Sequence, residues 1–140
     1  MSEFSPRFTE GMATRRKVLG SNHVDAAVAG TTPFTADFQT LITEAAWGCV
    51  WSGSAISLRE RSMITIALLA ALGQDDEVAM HVRATRNTGA TMDDIKEALL
   101  HVAIYAGVPA ANHAFKIAAR TYAEMQLKEE THAQQPGAEP

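Results

Sequence analysis

Residues 57–89, SLRERSMITIALLAALGQDDEVAMHVRATRNTG, constrain this chain more than any other stretch. From Met63 to Leu72 the residues are apolar apart from Thr65. A helix that is hydrophobic on every side has no face to turn to water, so it must be buried all round, by its own fold or by another subunit. Ser57 and Glu60 stand at capping-box spacing, which starts the helix, and Gly73 stops it. Arg59 and Arg61 sit at its entrance. A short acidic turn follows, and a second helical pattern runs from Asp75 or Asp76 to Gly89, with His81 and Arg83 in a stretch that is otherwise apolar and small. Guanidinium groups at the mouth of a buried helix, followed by a helix with a central imidazole, make the pattern of an anion site with a proton donor.

The rest of the chain also reads as helix. Phe8, Met12, Arg15, Val18 and Leu19 give a stripe that ends at Gly20. Residues 1–6 read as a loose arm. Asn22 can cap a short helix from His23 to Ala29, stopped by Gly30. Thr31-Thr32-Pro33 reads as an N-cap with proline at the first helical position. Phe34, Phe38, Leu41, Ile42, Ala45 and Ala46 then continue that helix at three- and four-residue spacing, and Glu44, Trp47 and Trp51 share one stripe of it. Thr91 caps a further helix whose first turn holds Asp93 and Asp94, where acids suit the positive end of the dipole. Its inner stripe is Ile95, Leu99, Val102 and Ala103, and Gly107 closes it. Pro109 opens the last helix, with Ala111, Phe115, Ala118, Ala119 and Tyr122 inside. No stretch alternates with period two for long enough to be a strand. The expectation is an all-α bundle of five to seven helices in one domain, residues 1–127, with a polar tail, 128–140, too poor in apolar residues to stay ordered.

Composition narrows what such a bundle can do. A net charge of -4 gives no basic field for nucleic acid. The apolar run 63–72 is too short to span a bilayer, and the N-terminus lacks a secretory pattern. A lone Cys49 allows neither an internal disulfide nor a dithiol reaction. A soluble, cytoplasmic protein is expected. There is no HExxH, Cys/His cluster, phosphate loop or nucleophile elbow. Chemistry here is expected to need no metal and no cofactor.

His81 is the first candidate, with Glu77 one helical turn before it. A carboxylate there would favour the imidazolium and keep an acid available near neutrality; the plain alternative is a local ion pair. Arg59 and Arg61 can each hold a carboxylate in bidentate fashion. Two residues apart, they point to different sides of one helix, so one can bind substrate while the other is structural. Glu60 is already explained by the capping box. Glu44, beside Trp47, is a reserve acid/base group or an arginine partner. Trp47 and Trp51 are core or interface residues, or else a ligand wall. His113 and Tyr105 complete the candidates, His113 as a reserve acid/base group.

The segments WGCVWS, LRERS, ALLAALG, EVAMHVR and GATMDDIKEALLHVAIYAGVPAANHAF, with VLGSNHV and FQTLITEAAWG before them, resemble the gamma-carboxymuconolactone decarboxylases of the AhpD-like superfamily. The resemblance covers roughly residues 10–125. It implies the AhpD-like all-α fold and a homo-oligomer, a hexamer or trimer. It also implies a cofactor-free enzyme of the β-ketoadipate route of aromatic catabolism, acting on a small dicarboxylate lactone. Peroxidases of the wider superfamily use CxxCxxxH. If His81 matches that histidine, the cysteine positions fall at Gln74 and Glu77, and the proton-relay glutamate at Ser62. Every redox position is therefore replaced. The resemblance assigns His81 as proton donor, Arg59 or Arg61 to the retained carboxylate, and Trp47, Trp51 and Tyr105 to an apolar wall. Rival readings are another cofactor-free lactone isomerase or hydrolase on the same fold, and a non-catalytic oligomeric binding protein.

Overall fold

The structure, a computed structural model, describes residues 4–134, and every regular element among them is helical. They form seven α-helices and no strand: α1 (Pro6–Leu19), α2 (Ser21–Ala29), α3 (Ala36–Ile42), α4 (Leu58–Ala71), α5 (Asp75–Thr88), α6 (Met92–Tyr105) and α7 (Val108–Gln134). A π-helical segment, Thr43–Trp51, continues α3 without a break. The all-α expectation holds.

Several local signals act as read. The Ser57–Glu60 box is closed in both directions: Glu60 N–H donates to Ser57 Oγ at 3.1 Å and Ser57 N–H to Glu60 Oε1 at 3.0 Å. Gly20, Gly73, Gly89 and Gly107 all have positive φ, which removes the steric penalty of turning the chain out of a helix at those points. Other boundaries move. Ser5 caps α1 by accepting from Phe8 N–H at 3.0 Å, and Pro6 is already helical, so the arm expected over residues 1–6 is shorter; residues 1–3 lie outside the described residues. Asn22 lies inside α2, which begins at Ser21. Thr32 N–H donates to Thr35 Oγ1 at 2.9 Å, making a turn of 32–35, and α3 starts only at Ala36. Helix α7 carries through 128–134, so that part of the expected loose tail is helical; 135–140 lie outside the described residues.

The chain clusters into two compact units: residues 1–63 with 84–91, and residues 64–83 with 92–140. In the first, α1 packs closely along the π-helical segment. Val18, Trp47, Trp51 and Ala84 are buried there, with Leu19, Ala46 and Leu58 half-buried against them. The close approach needs glycine on both sides. A Cβ on Gly11 would fall within the Thr43 carbonyl oxygen, and one on Gly48 would stand 2.6 Å from the Arg7 carbonyl oxygen. Ser62, fully buried, donates to Thr88 Oγ1 at 2.7 Å and ties α4 to α5. In the second unit α6 packs on α7, and Ile66, Val78, Val82, Ile95, Leu99 and Ile117 are buried.

Not every apolar position on these helices turns inward. Phe34, Phe38 and Leu41 are exposed, Phe34 at 95 %. The buried positions are instead Thr43, Trp47, Gly48 and Trp51, spaced four, one and three residues apart. A π-helix bonds i to i+5 and takes more residues per turn, so the inward face drifts away from the 3.6-residue stripe. Within one chain helix α4 is buried on one side only, which leaves the rest of its surface to the second alternative, another subunit. Ser62, Ile66 and Ala70 are inside, while Ile64, Leu68 and Leu72 are exposed.

Candidate functional site

His81 lies in α5 between Val78 and Val82, both buried, and its own side chain is 6 % exposed. The imidazole therefore sits in the interior and does not face open water. Glu77, one turn earlier on the same helix, is exposed. In the same unit His113 is exposed and bonds through Nε2 to Asp75 Oδ2 at 2.7 Å. Tyr105, at the end of α6, is 86 % exposed and stacks on His101 with ring centroids 6.3 Å apart. Within one chain Tyr105 is therefore not enclosed: the last turn of α6 projects it past the buried stripe of Ile95, Leu99 and Val102.

The other candidates belong to the first unit. Arg59 is exposed on the first turn of α4. Arg61 is half-buried and donates from Nη2 to the Gly53 carbonyl at 3.1 Å; its Nε is buried and has no protein acceptor. The two guanidiniums differ as their spacing implies, Arg61 being tied to the loop that precedes the helix. Trp47 and Trp51 are both buried, with centroids 5.1 Å apart. They form the core of the unit and are not an open wall. Glu44 is half-buried and accepts from Ser5 Oγ at 3.1 Å, so its partner is a hydroxyl and not an arginine. The Glu60 carboxyl is held below its ordinary range, first by the Ser57 backbone N–H and then by the Ser57 hydroxyl. Cys49 is exposed, and Arg7 Nη1 donates to its sulfur at 3.2 Å.

One charged residue in this unit was not singled out by the sequence beyond its place on the first stripe. Arg15 is 6 % exposed, on the inner face of α1. Its only sequence signal was an arginine at an inward position, between Met12 and Val18. Among the described residues no group of three or more His, Cys, Asp or Glu could hold a metal ion, and no helix is long and apolar enough to cross a membrane.

The sequence profile of the carboxymuconolactone decarboxylase family matches residues 36–120. The chain is 41 % identical over 124 residues to the 4-carboxymuconolactone decarboxylase of Acinetobacter baylyi (strain ATCC 33305 / BD413 / ADP1), covering 89 % of this chain and 92 % of that protein. It is 40 % identical over 120 residues to the nitrosuccinic acid decarboxylase npaB of Metarhizium robertsii (strain ARSEF 23 / ATCC MYA-3075), covering 84 % of this chain and 82 % of that protein.

Proposed function

Because the chain belongs to the carboxymuconolactone decarboxylase family, we propose that it is a carboxy-lyase that decarboxylates 4-carboxymuconolactone to the β-ketoadipate enol-lactone. The observation that carries this reading is the 41 % identity along nearly the whole length of a relative with that activity.

The reaction explains what the residues are for. The bond from the ring carbon to one carboxylate breaks and carbon dioxide leaves. The electron pair moves through the ring double bond to the lactone carbonyl oxygen, giving an oxyfuran-like dienolate. One proton is then delivered to the ring carbon beside the carbonyl. The substrate is its own electron sink, so the protein need supply only binding, charge and a proton. His81 is the donor in this reading, supported by its burial, which keeps bulk water from competing for the proton. Arg59 or Arg61 holds the retained carboxylate, Arg61 being already tied to the Gly53 carbonyl through Nη2. Glu77 orients His81, and Glu44 and His113 stand in reserve. Trp47 and Trp51 keep their place in the core of the first unit, and Tyr105 joins the wall of the site once a second copy covers it.

That last role rests on a homo-oligomer, a trimer or hexamer on the AhpD-like plan. Its support is the exposed apolar surface: Ile64 and Leu68 on α4 with Leu72 just beyond it, and Ile104, Tyr105 and Val108 around the end of α6. The enzyme would serve aromatic catabolism in the cytoplasm.

A second reading is favoured by the other relative: decarboxylation of nitrosuccinic acid. Both compounds are small dicarboxylic acids with a built-in electron acceptor, a conjugated lactone in one and a nitro group in the other. The same donor and guanidinium can serve either.

Both acids should be offered to the purified protein, with carbon dioxide release and the organic product followed. Enol-lactone formation at much higher kcat/KM than nitrosuccinate turnover is expected; release from neither compound overturns the proposal. His81→Gln should lower kcat at least tenfold, about 1.4 kcal/mol of barrier. Full turnover in that variant would remove His81 as the donor. Arg59→Lys and Arg61→Lys, compared separately, should show one tenfold loss and one small one.

A further inference from the structure

Arg15 is the buried charge that the proposed reaction does not use. Its Nη1 donates to Gln39 Oε1 at 3.1 Å and, at 3.5 Å, to Thr43 Oγ1. Both acceptors are neutral. Its Nε is buried and has no acceptor at all, and among the described residues no carboxylate pairs with the group. The neighbouring Arg16 is different: it pairs with Asp25 at 2.7 Å on the surface. Removing a guanidinium from water without a counter-charge is costly, and a merely structural position would be filled more stably by methionine or leucine. Burial lowers the Arg15 pKa, the mark of a charge short of compensation.

Beside this group lies a cavity of about 500 Å³, entirely within the first unit, lined by Arg15 together with Phe8, Met12, Val28, Gln39 and Thr43. Its walls are mainly apolar, and its size falls in the range of small-molecule sites, roughly 300–1,000 Å³. A guanidinium offers a carboxylate two parallel N–H donors from Nε and Nη2 along one edge. Gln39 and Thr43 take Nη1 and so fix the plane of the group, while Nε has no protein acceptor.

We infer that the first unit holds a binding site for a small organic carboxylate with an apolar body, held by the guanidinium of Arg15 while its body lies against Phe8, Met12 and Val28. The site does not depend on the decarboxylase reading, since none of its residues is among the proposed catalytic or substrate-holding groups.

The test is calorimetric titration of the full chain with benzoate, with its neutral isostere benzamide, and with sulfate. Benzoate should bind with saturation, benzamide and sulfate at least tenfold more weakly. Arg15→Met should lose benzoate affinity at least tenfold while keeping the wild-type circular dichroism. Gln39→Glu gives a second reading that does not depend on tolerance at position 15. It places a carboxylate against the guanidinium, so benzoate affinity should fall and the melting temperature rise. Failure of benzoate to bind wild type, equal binding of benzamide, or unchanged benzoate affinity in either folded variant would each overturn the assignment.

Discussion

Glu60 accepts from Ser57 twice, from the backbone N–H at 3.0 Å and from the hydroxyl at 2.9 Å, and returns its own backbone N–H to the serine oxygen. The backbone bond and then the hydroxyl bond favour the carboxylate; desolvation opposes them, and Arg59 and Arg61 add weaker support. The folded pKa is thus depressed below the unfolded one. For a depressed acid, the stabilisation is complete above the unfolded pKa and is lost as pH falls through the folded value. Wild type should therefore melt above Glu60→Gln at neutral pH, and the gap should close as pH falls below the ordinary carboxylate range. A gap that stays constant with pH would show that the carboxylate charge is irrelevant here. Removing the serine side of the box is simpler: Ser57→Ala loses an N-cap and should cost about 1 kcal/mol in urea unfolding.

At the scale of elements, the close crossing of α1 and the π-helical segment governs the first unit. Thr43 Oγ1 donates to the Gln39 carbonyl at 2.7 Å, and Ser52 N–H and Oγ both bond the Trp47 carbonyl, at 3.0 and 2.7 Å. These bonds tie the segment at both ends. Thr14 and Ser52 then join hydroxyls at 2.7 Å across to α1, and Asn87 Nδ2 donates to the Val18 carbonyl at 2.8 Å. Between these ties the backbones meet at Gly11 and Gly48. A methyl at Gly11 would also lie 2.8 Å from the Gly48 nitrogen, and backbone cannot rotate aside as a side chain can. Gly11→Ala and Gly48→Ala should each destabilise the protein by about 3 kcal/mol or more, at or above the upper end of ordinary overpacking. Gly73→Ala meets no atom within 4 Å and bears only the strain of φ +70°, so it should cost less, about 1 kcal/mol. Chemical denaturation of the three variants checks the order; equal losses would mean that the crossing is looser than it looks.

For the whole molecule the apolar surface is the main fact. Phe34 is 95 %, Ile104 77 % and Leu72 70 % exposed, alongside further aliphatic residues on α4 and α6. Isolated exposed apolar residues are ordinary, but runs of them along successive helical turns mark contact surfaces. Sedimentation equilibrium should therefore give a mass several times the 15.1 kDa of one chain, and Leu68→Glu with Leu72→Glu should lower it. A monomer at micromolar concentration would count against assembly, and with it against Tyr105 as part of a reaction site.

Periodicity and punctuation were enough to locate most helices, because capping boxes, glycine stops and proline starts act over a few residues of local backbone. Family membership was legible in the motifs around His81 and Gly107, since these are local runs of identity. The inward face after residue 42 was not legible: a π-helix changes the residues per turn, and nothing in the apolar pattern of Phe34, Phe38 and Leu41 signals it. The burial of Trp47 and Trp51, the exposure of Tyr105 and the tether of Arg61 to Gly53 were equally out of reach, because each depends on which chain segments meet. Arg15 shows the division most clearly. Its place on the inner stripe of α1 can be read from spacing alone, but its neutral partners and the cavity beside it exist only once α1, α2 and α3 have packed.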